Sequence, residues 1–404
     1  MSANQEFYTK PLGLIPFYIP HAGCPQQCIF CNQHHIASDG VLAVQSDIRK
    51  TIADYVGSKR DAKYWEVAFY GGSFTALPVA LQEQLLAPAY EALQVGEIDG
   101  IRCSTRPDAL EEEAIHRLKS YGVNTVEIGV QSMDEEILRQ AKRGHTAHDV
   151  VCAVQRLKKN NLRVGIQLLP GLPGETWHTL VHTAVSIARL APDFGRIYPV
   201  LVIADTELAE QMEAGLYTPL SVNQAVAYSA FLKTYLESKG IYIIRTGLQS
   251  TEELDEGVGL VGGPYEPAMG ELVVNYQWRL RIEALLYDLD LGSFGHSVED
   301  GASSLKGVQH DIRGVHHDMR GVHYEMSVGH HNVREMHYGV RNMDSHLITV
   351  RYARNLTSKV RGLKRSNMKY FEEHYEQLSW QWKEDNSVPE NHVLIEYGGV
   401  NYLL

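Results

Sequence analysis

Long apolar runs are missing from this chain. None reaches the roughly 20 residues that a membrane-spanning helix needs, so the sequence predicts no such helix. The start lacks the basic stretch and small-residue cleavage site of a secretory signal. An excess of basic charge is missing too: 37 Lys and Arg face 49 Asp and Glu, a net charge of −12. That excludes nonspecific nucleic-acid binding by the whole surface and leaves room for a local basic patch. Cysteine is scarce, at five of 404 residues, too few for the disulfide scaffold of a secreted protein. Together these absences predict a soluble protein of the reducing cytoplasm. The 44% apolar and 21% charged shares are globular values. The length suits one large domain plus a small one, or two to three ordinary ones.

What cysteine there is lies together. His21-Ala22-Gly23-Cys24-Pro25-Gln26-Gln27-Cys28-Ile29-Phe30-Cys31-Asn32 holds three of the five, spaced C-x₃-C-x₂-C. Thiolates so close on one loop can converge on one metal centre. An ordinary 4Fe–4S cluster takes four cysteines, and the next here, Cys103, is far downstream. One iron would be left open, as the open position of a catalytic zinc site is left for water or substrate. The alternative is zinc, with His21, His34 or His35 as fourth ligand.

Along the chain, short apolar runs alternate with helical patterns. Leu14–Ile19, Val67–Tyr70, Ile101–Ser104, Thr125–Val130, Val164–Leu169 and Arg196–Leu201 read as strands. Ala109–Tyr121, Asp134–Arg143, His148–Asn160 and Thr176–Leu190 read as helices. This spacing marks parallel βα repeats. The fold class is α/β, and six units fit a TIM-like barrel or a partial (β/α)6 barrel, whose sites lie on the loops after the strands.

Polar residues gather at those strand ends. Gly71-Gly72-Ser73 follows the second strand, and glycines there let backbone approach a ligand. Ser104-Thr105-Arg106-Pro107-Asp108 follows the third; the proline keeps Arg106 extended, ready to pair with a carboxylate, while Asp108 is placed to cap the next helix. Glu127, Gly129 and Gln131 alternate along the fourth strand and share a face. Arg143 is either a charge at a helix C-terminus or a site residue. Gln167 interrupts an apolar fifth strand, and Pro170-Gly171-Leu172-Pro173-Gly174 makes a rigid, close-approach turn. Glu175 and Thr176 are placed to start the helix beyond it. Cys103 and Cys152 read as buried core thiols.

The cysteine loop, with an aromatic residue before its third cysteine, closely resembles that of the radical S-adenosylmethionine (radical SAM) enzymes. The set of that loop with GGSF, STRPD, IGVQS, RGHT, LLPGLPGET and GPYEPAMGE, over about residues 10–275, looks most like the radical SAM domain of the elongator catalytic subunit group. The resemblance implies a 4Fe–4S cluster on Cys24, Cys28 and Cys31, with SAM on the open iron. Reductive cleavage of SAM then yields a 5′-deoxyadenosyl radical, fed by an electron donor such as a flavodoxin or ferredoxin. It implies that Gly71, Gly72 and Ser73 lie at the SAM amino group, although many members have an acidic residue where Ser73 stands. It places Gly171 and Gly174 at the adenine, and makes Arg106, Gln131, Arg143 and Gln167 further candidates for the cofactor site. The larger enzyme modifies tRNA wobble uridines and carries an acetyltransferase domain, for which the sequence after this barrel is too short; tRNA is carried over as the expected substrate and acetyl transfer is not. The loop is also similar to that of anaerobic coproporphyrinogen oxidase, which keeps a tetrapyrrole or small metabolite open as substrate. A zinc-bound, non-enzymatic RNA-binding protein is the alternative of another class.

From Lys306 a seven-residue unit repeats, KGVQHDI, RGVHHDM, RGVHYEM and looser copies, and eight of the 19 histidines lie between Ser303 and Leu347. The apolar steps fit a helix seam, but a glycine in each early copy weakens it. It reads as an expanded surface insertion without a catalytic role. Beyond it, Leu347–Tyr352 and Val393–Tyr397 read as strands and Thr357–Gln377 as a helix. Arg351–Arg365 holds six Lys or Arg and no acid. Its turn Arg361-Gly362-Leu363-Lys364-Arg365 suits phosphate and loosely resembles the loop of KH-type RNA modules without their second glycine. Arg361, Lys364 and Arg365 are the nucleic-acid candidates. The expected plan is a barrel over 1–270, a helical connection over 271–300, the repeat over 301–346 and a small basic α/β unit over 347–404.

Overall fold

The computed structural model describes residues 12–19, 24, 28–32, 45–58, 64–248, 252–291, 336–337 and 346–404. These residues form two compact units, one drawn from Met1–Ala225 and Tyr235–Pro267, the other from Val226–Thr234 and Ala268–Leu404.

The first unit is an α/β half-barrel. Its strands are β1 (Leu12–Ile19), β2 (Tyr64–Gly71), β3 (Gly100–Thr105), β4 (Val123–Gln131), β5 (Arg163–Leu168) and β6 (Phe194–Ile197), then the short β7 (Val202–Ile203), β8 (Tyr242–Thr246) and β9 (Leu260–Gly262). Seven form one parallel sheet in the order β1-β2-β3-β4-β5-β6-β8. All six expected strands are present, and β8 adds a seventh. The sixth ends at Ile197 because Pro199 has no N–H to extend the ladder. The pair β7 and β9 is antiparallel and separate.

One face of the sheet is apolar. Val126, Ile128 and Val130 of β4 are fully buried, as are Ile101 and Cys103 of β3. Helices Glu112–Ser120, Glu135–Gln140, Ala147–Lys159 and Trp177–Leu190 follow successive strands. Their starts are encoded locally. The Asp134 carboxylate accepts the Glu136 and Ile137 N–H groups at 3.0 and 3.1 Å. Thr146 with Asp149, and Thr176 with Thr179, form reciprocal caps. The helix expected from Ala109 begins later, at Glu112, after a 3-10 turn over Pro107–Ala109, and Asp108 does not cap it. Cys152 is not a core thiol: it is half-exposed, with its sulfur 3.4 Å from His148 Nε2.

The other face is charged, and its contacts reveal the curvature. Tyr70 of β2 and Arg196 of β6 are four strands apart, about 19 Å in a flat sheet, yet Arg196 Nη2 lies 3.0 Å from Tyr70 Oη. Only a sheet rolled toward a barrel brings them together. Arg102 and Glu127, both 0% exposed, pair at 3.0 Å. Arg102 Nε also donates to Glu66 at 2.7 Å, and Arg163 reaches Glu66 at 3.2 Å from the other side.

In the second unit the sheet runs β10 (Met336–His337), β14 (Val400–Leu403), β13 (Val393–Tyr397), β11 (Leu347–Tyr352), β12 (Ser379–Glu384), with only β11 and β12 parallel. Helix Met269–Asp288 contributes Trp278, Ile282 and Leu286 to a core with Ile348, Val350, Phe371 and Ile395. The single helix expected over Thr357–Gln377 is broken into Thr357–Arg361 and Ser366–His374, because Lys364 and Arg365 adopt positive φ of 52° and 63°. Apart from Met336, His337 and His346, the histidine-rich repeat lies outside the described residues.

Candidate active site at the carboxyl ends of the strands

The cysteine turn is held by backbone bonds on both sides. Cys31 N–H donates to Cys28 O at 3.0 Å, closing the turn, while Ile29 N–H donates to Ala141 O at 3.3 Å and Ile29 O accepts from Leu208 N–H at 2.8 Å. Asn32 Nδ2 donates to Ala204 O at 2.7 Å. Ile29 is 1% exposed in a cluster with Ile137, Leu172, Val200 and Leu208. Cys28 is buried, Cys24 and Cys31 are half-buried, and none forms a disulfide. Among the described residues no three Cys, His, Asp or Glu side chains are gathered at metal-binding distance; residues 25–27 of the loop lie outside them.

Two buried arginines converge on this turn. Arg143 is brought inward where Lys142, at φ 51°, ends helix Glu135–Gln140. Its Nη1 donates to Cys28 Sγ at 3.3 Å and its Nη2 to Gly129 O at 2.6 Å. It is thus buried against the cysteine turn and does not stand as a solvated charge at the helix end. Arg106 is extended as expected, at φ −83° and ψ 150°. Its N–H donates to Ser73 Oγ at 3.2 Å, and its guanidinium is bidentate on Asp108 at 2.9 and 2.8 Å. Burial opposes the Arg106 charge, but Asp108, then Cys24 and Cys28, outweigh it and raise its pKa. Between them sits His145, 5% exposed, with Nε2 3.3 Å from Val130 O. Burial, then Arg143 and Arg106, push its pKa down to about 3, so the ring is neutral and Nε2 carries the proton.

Toward the carboxyl ends of the strands, Ser104 Oγ, Arg106 Nη1, Gln131 Oε1, Arg143 Nε and His145 Nδ1 are buried without a partner among the described residues. Each such atom costs about 1–3 kcal/mol unless something meets it. Soft thiolates, two cations and unmet polar atoms fit an anionic iron–sulfur cluster with a polar, zwitterionic cofactor beside it.

The remaining expected residues stand at or near the carboxyl ends of the strands. Gly71 has φ 98°, and a Cβ there would lie 2.3 Å from Ile19 O, so only glycine fits. Gly71, Gly72 and Ser73 line a small pocket with Ile19, Tyr70 and Phe74. The Ser73 hydroxyl is 2.8 Å from Thr105 Oγ1, tying β2 to β3. Gln131, at φ 72°, leaves the strand alternation at a register shift, and its side chain folds over Gly129. Gln167 is not at the turn; it donates to Glu127 at 3.3 Å on the charged inner face. Gly171 and Gly174 have φ of 100° and 81°. Gly171 is clamped: its N–H donates to Glu175 Oε2 at 2.5 Å, and its carbonyl accepts Tyr217 Oη at 2.6 Å. Burial raises the Glu175 carboxyl to about 8 against the opposing Gly171 bond. Thr176 does start the helix, whereas Glu175 braces the turn before it.

Sequence reasoning gave no role to Tyr70, Arg102, His145 or Arg196. Arg102, Glu127 and Arg196 are charges inside otherwise apolar strands, which was an available signal. In the second unit Lys364 and Arg365 are exposed, while Arg361 donates through Nε to Tyr352 Oη and lies 5.5 Å over its ring. The turn therefore presents two of its three candidate cations.

The family model of the radical SAM superfamily matches residues 18–187, and that of the radical SAM C-terminal domain matches residues 192–279. An uncharacterised protein of Methanocaldococcus jannaschii is 30% identical over 235 residues, 55% of this chain and 70% of that protein. The tRNA uridine(34) acetyltransferase of Methanocaldococcus infernus is 30% identical over 231 residues, 52% of this chain and 42% of that protein. This chain thus spans less than half the length of that relative. The solved structure of the archaeal Methanocaldococcus infernus Elp3, with residues 1–46 deleted, superposes with a TM-score of 0.53 at 25% identity, covering 66% of this chain and 62% of that one. The chain belongs to the radical SAM superfamily, as an enzyme whose radical SAM domain resembles that of the Elp3 group.

Proposed function

We propose that the protein is a radical SAM enzyme that modifies tRNA, with Cys24, Cys28 and Cys31 as the ligands of a 4Fe–4S cluster. The observation that carries this reading is the seating of the cysteine turn beside buried Arg143 and Arg106, with buried polar atoms that have no partner among the described residues, at the carboxyl ends of a parallel half-barrel. When bound, the cluster and SAM would supply reductive cleavage to a 5′-deoxyadenosyl radical. Gly71 and Gly72 would hold the methionine end, where no side chain obstructs the backbone. Arg106 keeps Nη1 for the SAM carboxylate while Asp108 occupies its other edge. Gln131 and neutral His145 offer Oε1 and Nδ1 as acceptors. Leu169–Gly174, whose turn is fixed by Glu175 and Tyr217, would form the adenosine side.

The tRNA substrate is supported by the named activity of the archaeal relative and by the exposed cations Lys364 and Arg365. The required single electron comes from a flavodoxin- or ferredoxin-type donor. The test is anaerobic incubation with SAM, reductant and tRNA. Cysteine-dependent 5′-deoxyadenosine, with a new mass on a tRNA nucleoside, is the expected result. Product formation indifferent to tRNA, with no tRNA retained at low salt, would refute the substrate.

A further inference from the structure

We propose that Arg143 is a positioning residue that sets the reduction potential of the cluster through the sulfur of Cys28. The inference rests on the reading above, that Cys28 is a cluster ligand. Among the described residues of the first unit, four arginines are buried to 10% exposure or less: Arg102, Arg106, Arg143 and Arg196. Three have carboxylate partners, Glu66 and Glu127 for Arg102, Asp108 for Arg106, and Glu127 for Arg196. Among the described residues Arg143 has none. A buried guanidinium without a counter-charge is costly, and beside the Gly129 carbonyl the side chain that Arg143 does meet is Cys28, whose sulfur lies at 3.3 Å.

The geometry fixes that contact. Arg143 N–H donates to Leu138 O at 3.0 Å, anchoring its backbone to the preceding helix. Its Nη2 is held on Gly129 O at 2.6 Å, and a Cβ on Gly129 would come within 3.1 Å of that nitrogen. Lys142, one residue earlier, points the other way, to Glu207 on the surface. So groups of the protein itself fix the orientation of Arg143, with Nη1 aimed at the sulfur. A donor and a positive charge at a ligand sulfur stabilise the reduced cluster, which carries one more negative charge, more than the oxidised one. One electron enters from a low-potential protein donor; no bond forms or breaks. Arg143 thereby makes the centre easier to reduce.

The test is a reductive titration of the full chain, reconstituted anaerobically with iron and sulfide, followed by electron paramagnetic resonance without SAM. Arg143→Gln is expected to shift the ratio of reduced to oxidised cluster at least tenfold toward oxidised, about 59 mV lower for a one-electron couple. Arg143→Lys should fall between, and Arg139→Gln, at an exposed position one turn earlier, should match wild type. Wild-type potential in Arg143→Gln at equal iron content overturns the proposal. So does loss of the cluster from both Arg143 variants with their fold intact by circular dichroism, because Arg143 would then hold the cluster and not tune it. Where only the Lys variant loads, an unshifted potential in it overturns the proposal and a lowered one supports it. A wild-type protein that loads no iron would instead refute the proposed function.

Discussion

Neutralising Glu127 should destabilise the half-barrel strongly, and removing its partner as well should restore much of the loss. Glu127 is 0% exposed. Its Oε1 accepts from Arg102 Nη1 at 3.0 Å, Arg196 Nη2 at 3.1 Å and Tyr70 Oη at 3.2 Å. Its Oε2 lies 2.8 Å from Arg196 Nε and 3.3 Å from Gln167 Nε2. Glu127→Gln keeps the shape and removes the charge. Arg102 still has Glu66, but Arg196 loses its carboxylate. Breaking one side of a buried pair costs about 3–5 kcal/mol. At roughly 2–4 °C per kcal/mol for a unit of this size, Tm should fall by about 6–20 °C. In Glu127→Met with Arg196→Met neither charge is stranded, so the double variant should cost less than the sum of the singles. Burial opposes the Glu127 charge, but Arg196 and Arg102 outweigh it and hold its pKa below the ordinary value. Its folded pKa is depressed, so the stabilisation is present above the usual carboxylate range and is lost as pH falls through the folded pKa. The gap between wild type and Glu127→Gln should close in acid. The assay is thermal unfolding by circular dichroism at matched iron content. A fall in Tm under 3 °C, roughly 1 kcal/mol, or additivity of the two singles within about 0.5 kcal/mol, would refute the reasoning.

Three further outcomes follow from the site. Gly71→Ala puts a Cβ against Ile19 O at a φ costing about 1–2 kcal/mol for a non-glycine residue; equilibrium dialysis should show SAM retention at least tenfold weaker, while Gly57→Ala, with open space around it, retains SAM normally. The Glu175 pKa is raised from 4.5 to about 8, so the native state holds a proton that the unfolded chain releases, and stability should fall as pH rises through that window. Glu175→Gln should flatten this part of the Tm–pH curve, and an unchanged slope would show that Glu175 is not its source. Charge reversal of Lys364 and Arg365 to Glu should weaken tRNA retention and lower its salt dependence by about one unit of slope per lost phosphate contact; binding equal to wild type across salt would remove this turn from the RNA surface.

The strands of the half-barrel could be read because each carries a short apolar run bounded by glycine or proline. β8, YIIRT, was missed because it is short and follows a long helical stretch. β12 was missed because it is an edge strand, with Ser379, Gln381 and Lys383 exposed and only Trp380 and Trp382 turned inward. The cysteine turn is local and needs only eight residues of sequence to recognise. The partners of Arg143 are not local: Cys28 is 115 positions away, and a positive φ at Lys142 decides which way Arg143 points. Asp108 was expected on a helix N-terminus, but Arg106 two residues earlier competes for the same carboxylate at closer range and wins. The polar inner face is a tertiary product too. The parity of Glu127 placed it on one face, but only sheet curvature brings Tyr70 and Arg196 to it.

The most direct test of the central claim is an anaerobic one. The protein is reconstituted with iron and sulfide, reduced, and given SAM and tRNA, and metal content and 5′-deoxyadenosine are measured beside a Cys28→Ala control. About four irons per chain, with 5′-deoxyadenosine from wild type and none from the variant, is the predicted result. One zinc per chain with no iron and no 5′-deoxyadenosine would contradict it.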